Sequence, residues 1–376
     1  MLKIPAALVA LSLLTAGGAR GETTVQPVQV GQPAQVAASY GDYVRSSLEG
    51  YIRPAMGRFA SDAARLPDAV QGACAAGDDS AREEFRAVYG ATLASFARIG
   101  FLRFGPLAEA NRLERLAFLP DARGVAQRQV RRILADRDAT ATTAGQLAGK
   151  SVAVQGLTAL QLVAFDEEGR VTLGGTGDPD AAFSCAYALA IAGNVASLAG
   201  DLARDWADPA GFSGELLAPG PDRPLLKSDK EAAELIFNAI VTGFVIVRDQ
   251  DLLPALGSGP DSAKPGRLPF ARSGFTLAYL SAEISGLAEA LKAGGYERGL
   301  DSEGTWIPAS LEFEFGNALK ALARLREPMR VTLAEPETHA GLSYVALVLK
   351  GLRDTVALNL AGSLNLSGGF NALDGD

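Results

Sequence analysis

An all-α fold, arranged as two helical bundles side by side, is what this 376-residue sequence predicts. Three observations carry the expectation. Apolar residues recur at the three- and four-residue spacing of amphipathic helices through most of the chain. Two Ser-x-x-Glu sequences, Ser80–Glu83 and Ser228–Glu231, stand ahead of such runs and read as capping boxes. Alternating, strand-like stretches are confined to 170–174 and 329–333, and both are short.

Element by element, the chain begins with Lys3 and an apolar run, Ile4–Ala16. Gly17-Gly18-Ala19 then fits a small-residue cleavage site before Arg20, so residues 1–19 read as an export signal. The run is short of the about 20 apolar residues a membrane span needs, and no later segment is expected to reach that length. No Cys lies near the cleavage site, so the exported protein is not expected to be a lipoprotein. Residues 20–39, rich in Gln, Val and Pro, read as a linker.

The first bundle is expected over 40–207. Ser80 caps a helix whose Phe85, Val88, Tyr89, Leu93 and Phe96 share a face, and Gly105-Pro106 stops it. Further helices are expected over 107–119, 124–136 and 146–165. Asp178-Pro179 suits a helix start, because Pro is tolerated at the first helical position. The apolar stretch 181–206 that follows reads as a core helix. Four Pro and three Gly within 208–226 mark residues 208–227 as the junction. The second bundle, 228–376, opens with a helix carrying the stripe Leu235, Ile236, Ala239, Ile240 and Phe244. Helices over 273–293, 310–325 and 338–360 complete it, with apolar stripes facing inward.

Composition narrows the function. Hydrophobic residues make up 48% of the chain, enough for a large core, and aromatics only 7%, so packing rests on Ala, Leu and Val. A net charge of −8 without a dense basic run argues against nucleic acid. The arginines of Gln127–Arg132 read as a solvated helix face. Gly174-Gly175-Thr176-Gly177 lacks the following Lys of a phosphate loop and reads as a turn. No Gly-x-Ser-x-Gly elbow is present.

Cys74 and Cys185 form either a disulfide, which an oxidising compartment permits, or two buried thiols. With the single His339 they make no ordinary Cys/His zinc site unless carboxylates join. His339 follows Glu335 and Glu337; the three group around an ion or sit exposed at a helix start, where acids suit the dipole.

Several stretches, in order, resemble the imelysin-like family of exported bacterial proteins. They are Phe104-Gly105-Pro106 with Asn111-Arg112 and Leu119-Pro120-Asp121; Ser151–Gln161; Cys185–Trp206; Leu268–Gly274; and the ending Gly369–Asp376. The resemblance implies a helical two-domain fold and an exported, periplasmic location. It also implies one of two roles, metallopeptidase or iron-uptake binding protein. The family motif Gly-x-His-x-x-Glu would place its ligands at 158 and 161. Here Gly156 is kept, but Thr158 and Gln161 stand in those places.

Positions three apart share a helix face. A hydroxyl and an amide there donate and accept hydrogen bonds but supply no charge to a transition metal and no general base. The expectation is a non-peptidase binding or accessory protein in iron acquisition, without a resident cofactor. Its ligand, an iron complex or another organic molecule, is expected at Gly156, Thr158 and Gln161, with a contribution from Arg272 and Ser273. An uptake protein of the periplasm or outer membrane is the expected partner. A peptidase with a divergent site, and a structural or partner-binding helical protein, are the alternatives.

Overall fold

Ser39 opens the first helix. Its hydroxyl accepts from Asp42 N while the Asp42 carboxylate accepts from Ser39 N at 2.9 Å, a complete capping box. The computed structural model describes residues 38–174 and 178–368. The expected signal at 1–19, most of the linker, part of the 174–177 turn and the 369–376 ending lie outside the described residues.

Helix α1 (Tyr40–Ser47) runs through a π-helical turn into α2 (Arg53–Ala63), then α3 (Leu66–Ala76) and α4 (Asp79–Ala97). The cap of α4 is Asp78, not Ser80: its carboxylate accepts from Ala81 N at 2.8 Å. A charged acceptor at the positive end of the helix outcompetes the hydroxyl two residues on.

The helix expected over 107–119 is broken. Ala110 and Asn111 take left-handed backbone angles, leaving two 3-10 turns and the five-residue α5 (Arg112–Leu116). Helix α6 (Val125–Asp136) follows, its first amides held by the Asp121 carboxylate at 2.6 and 2.9 Å. The helix expected over 146–165 is also divided, into α7 (Ala144–Leu147), a 3-10 turn and α8 (Leu157–Ala164), because Gly156 is extended.

Helix α9 (Pro179–Ala207) is capped by Asp178. Within the 208–227 stretch lies α10 (Phe212–Leu217). Ser228 caps α11 (Asp229–Val245), accepting from Glu231 N at 3.2 Å, while Glu231 reaches back to Lys227 N at 2.7 Å. A π-helical turn, Ile246–Leu252, leads into α12 (Leu253–Leu256). Helices α13 (Thr276–Gly294), α14 (Ile307–Leu322), α15 (Met329–Thr332), α16 (Pro336–Asp354) and α17 (Ala361–Ser363) complete the described chain.

The fold is all-α. No strand forms among the described residues; 170–174 contributes one isolated bridge, Val171 to Phe165, and 329–333 is mostly helical. Neither segment finds a partner strand for its backbone groups, so the alternating pattern has nothing to pair with.

Helix α9 packs against α2, α3 and α8, and the Cys74–Cys185 disulfide, with Cα atoms 5.9 Å apart, ties α3 to α9. The stretch Pro179–Leu217 is long and apolar enough to cross a membrane, contrary to the expectation from sequence that no such segment follows the N-terminus. Its Tyr187, Ile191, Val195, Leu202 and Trp206 are buried in the core. Helices before residue 208 pack directly on helices after it: α1 on α11 and α13, and α4 on α13. At the last crossing Gly286 permits close approach, since a Cβ there would lie 2.9 Å from Arg98 Cα. One hydrophobic core runs through all of these contacts.

Candidate functional site

Gly156 sets the position of the site. A Cβ at this residue would sit 2.4 Å from the carbonyl oxygens of both Arg115 and Leu116, so only glycine lets α8 begin against the backbone of α5. The contact is supported on the neighbouring side chains. Arg115 Nε donates to Gln155 Oε1 at 2.9 Å, and Asn194 Nδ2 of α9 donates to the Gln155 carbonyl at 2.9 Å. Tyr89 and Tyr187 donate to the Leu157 and Val154 carbonyls at 2.9 and 2.7 Å. The start of α8 is thereby fixed on all sides.

Thr158 and Gln161 then face one cleft of about 350 Å³. Both are nearly buried, 5% and 7% exposed. Thr158 Oγ1 is 3.5 Å from the Phe118 carbonyl, a long contact. Ser273 Oγ lies 3.3 Å from Gln161 Oε1 and 3.1 Å from the Phe270 carbonyl, with one proton to give to either.

The opposite wall comes from the second half of the chain and includes Arg267, Phe270, Arg272 and Arg330. Arg272 Nε donates to the Phe165 carbonyl at 2.7 Å, and its Nη1 pairs with Glu167. Arg330 pairs with the other oxygen of Glu167. The residues expected from sequence are thus brought together, with Gly156 and Ser273 supporting the walls and Thr158, Gln161 and Arg272 lining them. His339 does not line this cleft; its Nε2 is 3.0 Å from the Leu256 carbonyl, while Glu335 serves as N-cap of α16.

Behind the cleft lies a pair that sequence reasoning missed. Asp251, on the π-helical turn, and Glu283, on α13, are 5% and 6% exposed and line a cavity of about 20 Å³. Leu119 and Gln250 line both this cavity and the cleft. Burial pushes the Asp251 carboxyl up to about 7, against the opposing effects of a hydrogen bond from Glu283 and the Arg103 charge. Burial, then the Asp251 charge, drives Glu283 well above the usual carboxylate range. Both carboxyls are thus held toward their protonated forms, and they titrate as a pair. Glu283 Oε2 has no hydrogen-bond partner. The signal was present in the sequence: Glu283 occupies a core position of the α13 stripe, between buried Leu280 and Leu287.

The profile of the imelysin family, peptidase family M75, matches residues 52–355. The chain belongs to the imelysin family. Among solved structures, an imelysin-like protein from Psychrobacter arcticum superposes with a TM-score of 0.72 at 20% identity, covering 89% of this chain and 100% of that one. A protein described as an iron-regulated protein A precursor, from Parabacteroides distasonis, superposes with a TM-score of 0.64 at 12% identity, covering 86% and 97%. At those identities the likeness establishes the fold. No curated protein matches.

A peptidase zinc ion in this imelysin-family chain would need charged or imidazole ligands on an open site. The motif positions offer a hydroxyl and an amide, which do not fit it. Among the described residues, no three His, Cys, Asp or Glu side chains group closely enough to hold a metal ion.

Proposed function

We propose that this imelysin-family protein is an exported, non-peptidase binding protein of iron acquisition, which holds its ligand in the Thr158/Gln161 cleft. The observation that carries the reading is the cleft itself. Thr158 and Gln161, at the two places where the motif would put charged ligands, open into about 350 Å³ of space opposite an arginine-bearing wall. That volume is within the range of small-molecule sites. A wall of neutral hydrogen-bonding groups suits an already chelated ion or an organic ligand better than bare metal.

The iron link rests on the family and on the iron-regulated protein A precursor from Parabacteroides distasonis among its structural relatives. The periplasmic location rests on the signal-like start at residues 1–19.

Titration calorimetry of the purified protein against ferric chelates and haem tests the reading, with a Thr158→Ala/Gln161→Ala variant alongside. Binding by wild type and at least tenfold weaker binding by the variant are expected. Wild type that binds none of them, or chelator-sensitive cleavage of a denatured polypeptide by the pure protein, would replace this function with another.

A further inference from the structure

The hydrogen-bonding capacity left over in the cleft is one-sided. Its acceptors are largely engaged. Asp121 has both carboxylate oxygens on the first amides of α6. Asp249 pairs with Arg248. The Glu167 carboxylate, behind the wall, is shared by Arg272 and Arg330, so one negative charge answers two positive ones.

The donors are not used up. Arg267 lines the cleft, is exposed, and makes no side-chain hydrogen bond or ion pair among the described residues. Gln161 has its oxygen near Ser273, and Gln250 has its oxygen accepting from Arg103 Nη2 at 3.3 Å. Among the described residues, neither glutamine's amide N–H₂ has a protein acceptor. Guanidinium and amide donors converging on one cleft complement a planar, anionic acceptor, which arginine binds through two parallel hydrogen bonds.

We infer that the cleft recognises carboxylate oxygens, and that its ligand is a small polycarboxylate, free or as a metal chelate. The inference rests on the cleft being a ligand site, as in the function proposed above, and adds the chemical class. Arg267 and Arg330 make the charged contacts at the rim. The Gln161 and Gln250 amides meet the inner end of the ligand.

The test is calorimetry on the full chain at neutral pH with three probes: citrate, ferric citrate, and ferrioxamine B, a cationic trihydroxamate chelate of iron. Citrate or ferric citrate is expected to bind, more weakly as salt rises. An Arg267→Gln/Arg330→Gln variant should lose affinity by about tenfold or more, the loss of a charge-assisted hydrogen bond. The single Arg267→Gln, which removes no ion pair, guards against a folding defect, and thermal melts check both variants.

Binding of ferrioxamine B alone would overturn the inference and leave the iron function standing. Equal affinity for citrate and ferric citrate would uphold the carboxylate inference and count against iron. No binding of either citrate form, or unchanged affinity in both variants, overturns the inference.

Discussion

Two neighbouring regions share Leu119 and Gln250 as a common wall and solve the problem of burying polar groups in opposite ways. The Thr158/Gln161 face carries no ionisable side chain, and the cleft's charges stand on its other walls, on Asp121, Asp249 and three arginines. The Asp251/Glu283 pocket carries two carboxyls out of water with Arg103 beside them. A neutral group needs only a hydrogen-bond partner when buried, whereas a buried carboxyl also has to manage its charge, which it does by keeping its proton. The difference teaches that ionisable carboxyls have not left this part of the fold. They are absent from the motif face and present, as a pair that keeps its protons, behind it.

The largest expected effect separates the two regions by pH. Asp251 has a folded value raised above its unfolded one, so its contribution to stability is full below the unfolded value near 4. That contribution is lost as pH rises through about 7. Stability should fall by more than about 1 kcal/mol per pH unit across that window for each of the two carboxyls, since Glu283 is raised as well. Denaturant titrations at pH 4.5, 5.5, 6.5 and 7.5 measure the slope. An Asp251→Asn/Glu283→Gln variant should flatten it. A wild-type profile already flat over this range would mean that the pair does not hold its proton.

The second prediction concerns what holds the neutral face in place. If packing rather than charge positions α8, Gly156→Ala should be costly, because its methyl group meets two carbonyl oxygens at 2.4 Å. Overpacking of this kind costs about 3 kcal/mol. Chemical denaturation gives the number, and a loss under about 1 kcal/mol would show that α5 yields easily.

How far these regions were legible in the sequence follows from the same physics. The all-α class was readable because Ser228, Glu231 and the α11 stripe agree with one another locally. The cap at Asp78 was missed because a Ser-x-x-Glu pattern was preferred to a charged residue two positions earlier. The breaks at Ala110–Asn111 and at Gly156 were missed for a different reason. Tertiary contacts impose them, and apolar spacing continues straight through both. The cleft face was readable at Gly156, Thr158 and Gln161 from the motif alone. The carboxyl pair was readable only in part: Glu283 sits in the α13 stripe, but Asp251 belongs to the polar run Arg248-Asp249-Gln250-Asp251, where no apolar spacing marks it for burial. In the structure a π-helical turn carries this run and leaves Asp251 buried.

A third prediction converts one region into the other. Gln161→Glu places a carboxyl on the neutral wall at 7% exposure, where Ser273 is its near partner. The variant should lose about 1–3 kcal/mol at neutral pH, the cost of an incompletely compensated buried acid, and recover as pH falls. Thermal melts at pH 5 and pH 8 read the effect. A variant equally stable at both values would mean that the cleft solvates position 161 well.

The smallest effect is expected at Thr158, and it bears most directly on function. Its hydroxyl reaches the Phe118 carbonyl only at 3.5 Å, too long for a strong bond, and the residue as a whole is buried. Thr158→Val keeps the shape and removes the hydroxyl. If that hydroxyl were structural, the change would cost about 1 kcal/mol or more. The geometry predicts less, within about 0.5 kcal/mol of wild type, because so little bonding is lost. Paired measurements of denaturation midpoint and ligand affinity then decide what the group is for. An unchanged midpoint with weakened binding assigns the hydroxyl to the ligand. A lowered midpoint with unchanged binding assigns it to the wall, and the neutral face becomes a packing surface like the rest of α8.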